Sequence, residues 1–423
     1  MSSRSGYKLT EIGEIPEDWR LDRFSNAVGV NPPRSLVLGE KYPFIPMDAL
    51  STDSPMVSYV ESRIWNRSSG SKFQNGDVLL ARITPSAENG KTTLVHHLEG
   101  DGKGFGSTEF IVLSPKPGAI EDSRFIYYLT KLEAVRNQAI QRMTGSTGRQ
   151  RIPAEAFDDI PCAIPPVSEQ NKISSILSTV DEAIQKTDEI ITNTQQLKKG
   201  LMHQLLTNGI GHTGFKETEI GRIPEGWRVV SIGGISKVVR GSTPRPAGDP
   251  RYFGGELPWI TVSELTKDKN IYLVETGARI TEEGARRSRN IRPGTLLLGN
   301  SGFSLGVPKI TKISGYINDG IAAFLDISPE LDTLFMYYCL ASLTQYFRFV
   351  IARGVDQPNL NTTLISKVKI QLPPLLEQKE IAEKLSAIDH RLQNEEKRLE
   401  TLRFLKKGLM QDLLTGKVRV KVD

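Results

Sequence analysis

Forty-seven residues, Ile164 to Ile210, recur as Leu372 to Val418, and this duplication confines the chain to architectures made of two like halves. The first copy opens IPPVSEQNKISSILSTVDEAI and closes LKKGLMHQLLTNGI; the second opens LPPLLEQKEIAEKLSAIDHRL and closes LKKGLMQDLLTGKV. Aligned without gaps at an offset of 208, 18 of the 47 positions are identical. Ordinary composition would match only about two or three by chance. Pro165 falls on Pro373, Glu169 on Glu377, Gln170 on Gln378 and Asp181 on Asp389, and Lys198–Met202 fall on Lys406–Met410.

Each copy reads as one long helix. Pro-Pro ends whatever precedes it and is tolerated at a helix entrance. Ser168 is placed as a possible N-cap, with Glu169 in the first turn. Ile173, Leu177, Val180, Ile184 and Ile191 then step by three and four, and Leu201 and Leu205 continue the series. Ile381, Leu385, Ile388, Leu392, Leu399 and Leu402 do the same, followed by Leu409 and Leu413. Such a seam over about five heptads argues for a coiled coil. Thr187, Thr194 and Glu395 interrupt it, so it is not a uniform zipper. Roughly 40 residues at ~1.5 Å each make a rod of about 60 Å. Connectivity makes the pair antiparallel if the helices pack on each other. The alternative is two separate helices, each packed on its own domain.

A second repeated signature opens each half. EIGEIPEDWR (Glu11–Arg20) and EIGRIPEGWR (Glu219–Arg228) match at eight of ten positions, again 208 apart. Trp19 and Trp227 read as core anchors for these opening segments. Between the signatures the halves diverge, but fragments align: FIPMDAL (Phe44–Leu50) with WITVSEL (Trp259–Leu265), GDVLLAR (Gly76–Arg82) with GTLLLGN (Gly294–Asn300), FIVLSP (Phe110–Pro115) with FLDISP (Phe324–Pro329), and IYYLT (Ile126–Thr130) with MYYCL (Met336–Leu340). These short apolar runs, bounded by Gly, Pro, Asn and Asp, predict strands. A helix is expected over Ser123–Met143 and another over Thr333–Ile351, and a last strand (Ile160–Ile164, Val368–Leu372) delivers the chain to Pro-Pro. The fold class is α+β: two domains with a mixed, partly barrel-like sheet and helices, separated by two long helices, with an internal pseudo-two-fold repeat.

Composition excludes several classes. No run of 18 apolar residues is present, so no membrane span is expected, and the N-terminus lacks the apolar core of a signal peptide. Two distant cysteines suggest a reducing cytoplasm, and five scattered histidines show no metal-ligand spacing. A net charge of +5 permits a polyanionic partner without requiring one. The candidate binding residues therefore come from the loops. In the first half these are Arg82, Thr84 and Lys91 in ARITPSAENGK, Lys103 in GDGKGFGSTEF, and Arg149, Gln150 and Arg151 in GSTGRQR. In the second half they are Arg240, Ser242, Thr243, Arg245, Arg251 and Tyr252 between Val238 and Gly255, Asn300 and Lys309 in GNSGFSLGVPK, and Arg353, Gln357 and Asn359 in ARGVDQPNLN. Arg, Lys, Asn and Gln read base edges bidentately, and Ser, Thr and Lys suit phosphate oxygens. Each loop alone also fits an ordinary solvated turn.

Catalytic motifs fail on inspection. NGKTT (Asn89–Thr93) resembles the end of a phosphate-binding loop, but Pro85 stands where the pattern needs Gly. NPPR (Asn31–Arg34) lacks the aromatic that would stack on an extruded base. The Glu377-Gln378-Lys379 triplet has Asn171 in place of the lysine in its other copy. No Ser/His/Asp or Cys/His constellation is visible, and the chain reads as non-catalytic.

The duplicated IPE-x-W segments and the duplicated PP-x-x-EQ helices ending LKKGLM-x-x-LLT, with a variable domain in each half, resemble the specificity (S) subunit of type I restriction-modification enzymes over essentially the whole chain. RGSTP followed by YFGGELPWITVSEL is similar to a target-recognition pattern of that family. The resemblance implies a first target recognition domain at 1–163, a conserved helix at 164–210, a second target recognition domain at 211–371 and a C-terminal conserved helix at 372–423. It implies that each domain reads one half of a split, asymmetric site on double-stranded DNA. The helices would pair antiparallel and hold two methyltransferase (M) subunits, which two restriction (R) subunits then join. S-adenosylmethionine would belong to the M subunit, and ATP and Mg²⁺ to the R subunit, leaving no cofactor in this chain. Helix residues expected at the subunit-binding coiled coil are Ile173, Leu177, Val180, Ile184, Leu201, Leu205, Ile381, Leu385, Ile388, Leu392, Leu409 and Leu413. The LKKGLM repeats would either present a surface to the M subunits or serve only as helix-end packing. The rival class is a non-enzymatic coiled-coil scaffold or a stand-alone DNA-binding protein.

Overall fold

The computed structural model describes residues 4–67, 70–351 and 360–422. Contacts divide the chain into two units, one running to Glu189 and resuming at Glu396, the other spanning Ile190–Glu395. Each unit thus owns part of both long helices, Val167–Asn208 and Leu375–Leu414.

In the first unit a hairpin (Tyr7–Thr10 with Gly13–Pro16) leads to the strand Arg20–Arg23, which pairs antiparallel with Pro161–Ile164, the strand that delivers the chain to Pro165. One four-stranded sheet runs Glu61–Ile64, Lys41–Ile45, Lys103–Gly106, Ser71–Gln74, with a parallel pair at its centre. Another runs Gly29–Val30, Phe110–Ser114, Val78–Ala81, Thr92–Leu94. Val78–Ala81 and Phe110–Ser114 are buried along their whole length, which is why they read as unbroken apolar runs. The expected helix Ser123–Met143 is two helices, Ser123–Lys131 and Glu133–Gln141, because Leu132 is extended (φ −62°, ψ 125°). Apolar spacing continues across that break, so periodicity alone could not show it.

The second unit repeats the plan. Arg228–Ser231 pairs with Lys369–Leu372, and a five-stranded sheet runs Lys237–Arg240, Ile321–Leu325, Leu296–Gly299, Pro308–Thr311, Tyr272–Leu273. A four-stranded sheet holds Phe253–Ile260 parallel to Gly315–Ile317. Among the described residues every sheet is open and none closes into a barrel. The match of FIVLSP with FLDISP names the right strands but slips by three residues. Phe110 pairs with Ala81 while Ile321, not Phe324, pairs with the equivalent Gly299. The Ser-Pro pair that drew the sequences together straddles the strand end in the first unit, where Ser114 is the last strand residue. In the second it comes after Asp326 (φ +51°) and Ile327. The expected helix Thr333–Ile351 likewise divides into Thr333–Ser342, Thr344–Tyr346 and a π-helical turn over Phe347–Ile351.

The repeated signatures are packing locks. The central helix starts at Val167, one residue before the position proposed as its cap, so Ser168 lies in the first turn and the Pro166 carbonyl accepts from Glu169 and Gln170. Trp19 is fully buried and donates from Nε1 to Glu169 Oε2 (2.9 Å); Trp227 does the same to Glu377 (3.0 Å). Gln170 donates to the carbonyls of Ala119 (2.7 Å) and Pro165 (2.9 Å) and accepts from Glu121 N (3.0 Å). Gln378 repeats this with Glu330, Pro373 and Asp332 N, each at 2.8 Å. Arg419 adds a fork onto Glu169 (2.8 Å), where Glu377 has His212 (2.8 Å) and Ile210 N (3.0 Å).

Helix pairing is fixed by charge as well as by the seam. In the first unit the Tyr128 hydroxyl donates to Asp181 Oδ2 (2.7 Å), and Lys406 Nζ stands 2.5 Å from Asp181 Oδ1. In the second the Tyr338 hydroxyl donates to Asp389 Oδ2 (2.8 Å), and Lys198 donates to Asp389 Oδ1 (2.5 Å). Asp181 meets Lys406 while Asp188 lies 3.7 Å from Arg403, so residue numbers rise on one helix as they fall on the other: the pairing is antiparallel. Of the seam residues, Ile173, Leu177, Ile184, Leu205, Ile381, Leu385, Leu392 and Leu413 are buried, and Val180, Leu201, Ile388 and Leu409 are half-buried. Ile173 and Leu177 share a core with Trp19, Phe125 and Met410, and Leu205 with Trp227, Phe335 and Ile381. Packing on the partner helix and packing on the domain are therefore combined in one core. No helix among the described residues is long and apolar enough to cross a membrane.

Candidate nucleic-acid interface

The same end of the same interior strand gathers polar side chains in both units. In the first, the buried strand Val78–Ala81 ends at Arg82, whose N–H donates to the Glu109 carbonyl (2.9 Å) and whose carbonyl accepts from Ile152 N (2.8 Å). Thr84 N donates to Gln150 O (3.0 Å), and Arg151 bridges to Ile83 and to Thr144. The loop after one strand is thereby zipped to the loop Gly145–Arg151. Lys91 leads into the neighbouring strand Thr92–Leu94 at the same end, its carbonyl accepting from Ala81 N (3.0 Å). Arg82, Thr84, Lys91, Arg149, Gln150 and Arg151 come together here. Arg151 forks onto the Glu109 carboxylate (2.7 to 3.0 Å), a hydrogen-bonded pair that raises its already high pKa. Arg82 Nε and Thr84 Oγ1 are buried without a hydrogen-bond partner. Lys103 is not part of the group: it opens the strand Lys103–Gly106, at the end away from Glu109, and pairs with Asp101 (3.0 Å).

In the second unit Asn300 holds the place of Arg82. Its N–H donates to Gly320 O (2.9 Å) and its carbonyl accepts from Leu360 N (2.8 Å). The centre of the cluster is Asp319. Its carboxylate accepts from Thr243 Oγ1 (2.5 Å) and, at 3.5 Å, from Arg245; its carbonyl accepts from Arg240 Nε (2.6 Å) and Asn300 Nδ2 (3.2 Å). Ser242 joins through Ser288, whose hydroxyl donates to its carbonyl (2.8 Å), and Arg289 donates to the Arg240 carbonyl (2.7 Å). Gly241 permits this crowding, since a Cβ there would lie 2.0 Å from Asn318 O. Arg245 remains mostly exposed, 72% for its side chain.

Other sequence-derived candidates take different places. Lys309 is buried, its ammonium held by Asp268 Oδ1 (2.6 Å), Asp268 O (3.1 Å) and the Asn270 carbonyl, so it is not a surface cation. Asn300 is fully buried and braces Asp319 rather than presenting an amide to solvent. Tyr252 is buried, with the Arg287 and Arg251 guanidinium carbons 4.6 Å and 5.3 Å from its ring centroid, and Arg251 is forked onto Asp249. Arg353, Gln357 and Asn359 lie outside the described residues. Sequence reasoning passed over Asp319 and Glu109, the acids that orient these arginines. Asn318-Asp319-Gly320 carries only the signal of a turn, and Glu109 carries none.

A second pair of equivalent features flanks the LKKGLM repeats. In the first unit a cleft of about 640 Å³ is lined by Lys131, Arg136, Arg403, Phe404, Lys407 and Met410. In the second, one of about 880 Å³ is lined by Lys199, Met202, His203, Ser342, Leu343 and Tyr346. Leu405 and its equivalent Leu197 are 47% and 60% exposed, and Phe404 is 80% exposed.

Comparison with known proteins agrees with this duplicated plan. The family model described as "Type I restriction modification DNA specificity domain" matches twice, at residues 34–194 and 224–403. The type I restriction enzyme MjaVIII specificity subunit of Methanocaldococcus jannaschii is 30% identical over 75% of this chain and 75% of its own length. The putative type I restriction enzyme MjaX specificity subunit of the same organism is 27% identical over 98% and 97%. Among solved structures, the S subunit of a type I restriction-modification system from M. genitalium superposes with a TM-score of 0.60 at 16% identity, covering 96% of this chain and 98% of that one.

Proposed function

The chain belongs to the type I restriction-modification DNA specificity family, and from that premise we propose that it reads a bipartite, asymmetric DNA site, one half per target recognition domain, without doing chemistry itself. The observation that carries this reading is the equivalence of the two polar clusters. Each grows from the end of the same buried strand, Arg82 in one unit and Asn300 in the other, and each mixes arginines with an acid that aims them. Equal placement with unlike side chains suits two readers of unlike half-sites. Arg151, Gln150 and Arg82 serve the first, and Arg240, Thr243 and Arg245 the second. Forked arginine is the commonest reader of guanine in the major groove.

The helices recruit two methyltransferase subunits, one to each repeat, and restriction subunits join through them. Leu197 and Leu405, exposed apolar side chains at equivalent positions beside equivalent clefts, support a pair of like partners. S-adenosylmethionine, ATP and Mg²⁺ then belong to those partners.

The test is co-expression with the cognate methyltransferase subunit, followed by single-molecule sequencing of the host DNA. The expected result is methyladenine in a motif of two short defined blocks around an undefined spacer. A soluble complex that methylates nothing new would leave the scaffold reading instead.

A further inference from the structure

The loop that follows Asn300 carries a side chain the polar cluster does not use. Phe303 is 98% exposed, the most exposed large apolar side chain among the described residues. Burying a side chain of this kind is worth roughly 1.5–3 kcal/mol, so a phenylalanine standing fully in water has no folding rationale of its own. Floppiness does not explain it either, because its backbone is pinned from every side. It sits in a 3-10 turn, Gly302–Ser304, opened by Gly302 at φ +61°. Ser304 and Leu305, the next two residues, are buried. Arg348 donates to the Phe303 carbonyl (2.7 Å) and the Leu305 carbonyl (2.8 Å). Gly306 N donates to Gly299 O (2.8 Å), and a Cβ on Gly299 would fall 1.9 Å from Ser304 O, so the loop closes on its own stem. That stem is also the floor of the second cluster: Asn300, three residues before Phe303, bonds the Asp319 carbonyl that Arg240 shares.

We propose that Phe303 is an apolar wedge that enters a base-pair step of the second half-site and partly unstacks it. The inference rests on the DNA-reading function above and adds a residue and a mode of contact to it. A protruding aromatic on a braced turn, rooted in an arginine-bearing cluster, has the two properties a wedge requires. The arginines supply the attraction to phosphate, and the turn delivers the ring without a further loss of backbone freedom. Wedging side chains kink the duplex and make the site sensitive to how easily the invaded step unstacks, so selectivity for flexible steps follows. The first unit has no phenylalanine at the corresponding place, where Arg82 runs on into Ile83, Thr84 and Pro85. The wedge is therefore confined to one half of the site.

The test uses the full chain in complex with its methyltransferase subunit and duplexes carrying 2-aminopurine at single positions of either half-site. Wild type should raise the fluorescence of a probe in the second half-site. Phe303→Ala should abolish that rise and weaken binding about tenfold, within the range of one lost aromatic–base contact. Phe303→Trp should restore both, and probes in the first half-site should not respond to either variant. Phe303→Ala with unchanged second-half fluorescence and affinity overturns the wedge while leaving the two-reader function intact. If the wild-type complex recognises no bipartite site at all, the functional reading fails, and the wedge with it.

Discussion

At the scale of single residues, one acid holds part of each cluster, Glu109 taking Arg151 and Asp319 taking Thr243 and Arg245, and this shapes what substitutions should do. Arg151 is forked onto Glu109, which fixes its guanidinium, whereas Arg245 touches Asp319 only at 3.5 Å and stays mostly exposed. Arg245→Ala should weaken or relax only the second half-site and Arg151→Ala only the first, each by about 1–3 kcal/mol of base discrimination. Methylation mapping of the two variants checks this, and loss of both half-sites from either one would point to misfolding. The Tyr–Asp–Lys contacts belong to stability instead. The Asp181 side chain is 6% exposed and that of Lys406 14%, so Asp181→Ala strands a nearly buried ammonium and should destabilise the first unit by about 3–5 kcal/mol. Hydrogen exchange should show amides of residues 123–141 losing protection first while the second unit holds; Asp389→Ala should do the reverse. These contacts were only half legible. The aspartates, the lysines and the tyrosine-rich segments stood out as repeated letters, but sequence spacing says nothing about which of them meet across 53 or 225 positions. Lys309 shows the opposite failure: a lysine in a glycine-rich loop reads as a surface cation, and only the fold reveals the carbonyls that close around it.

At the scale of elements, the long helices were legible because they carry three independent signals: a Pro-Pro entrance, a three-four apolar seam and a duplicate copy. The strands were legible where both faces are buried. Their register was not, because a shared Ser-Pro drew the alignment three residues off in the Phe324 strand. The breaks at Leu132 and Leu343 were also hidden, since neither has a Pro or Gly to announce it. The seam itself is shared between the opposite helix and the domain core, which leaves the outer helix faces free. Those faces are largely charged; Leu197, Phe404 and Leu405 are apolar exceptions beside the LKKGLM repeats, and Val167 and Leu376 are others at the helix entrances. If they receive the methyltransferase subunits, Leu197→Asp with Leu405→Asp should leave the melting temperature within a few degrees of wild type, as exposed substitutions generally shift stability by no more than about 0.5 kcal/mol. Co-purification of the methyltransferase subunit should fall sharply. Retention of two full equivalents by the double variant would assign these side chains to no partner.

At the scale of the molecule, the repeat means that one design problem is solved twice, with each unit assembled from a domain and portions of both helices. Neither helix belongs to one domain alone, which is why a boundary drawn from the sequence at Pro-Pro and one drawn from contacts at Glu189 and Ile190 differ. It also means that helix length is a property separable from base reading. Among the described residues, the hydrogen bonds of Arg82 go to Glu109 and Ile152 and those of Asn300 to Gly320, Leu360 and Asp319, all within the same unit and none on the stretches Asp181–Lys198 or Asp389–Lys406. Removing seven residues from both of these stretches keeps the Tyr–Asp–Lys contacts and the seam pattern, and shortens each helix by about 10 Å at ~1.5 Å per residue. With one duplex turn taking ~34 Å for about ten base pairs, the expected change is a spacer shorter by about three base pairs. Three base pairs also turn the duplex by roughly a third of a revolution, against only ~20° for a heptad, so methylation should be slower as well as shifted. Sequencing of DNA methylated by such a variant should therefore return the original two blocks around a new gap. The original gap with altered blocks would mean that the helices shape the reading surfaces themselves, and the separation of spacing from specificity would have to be abandoned.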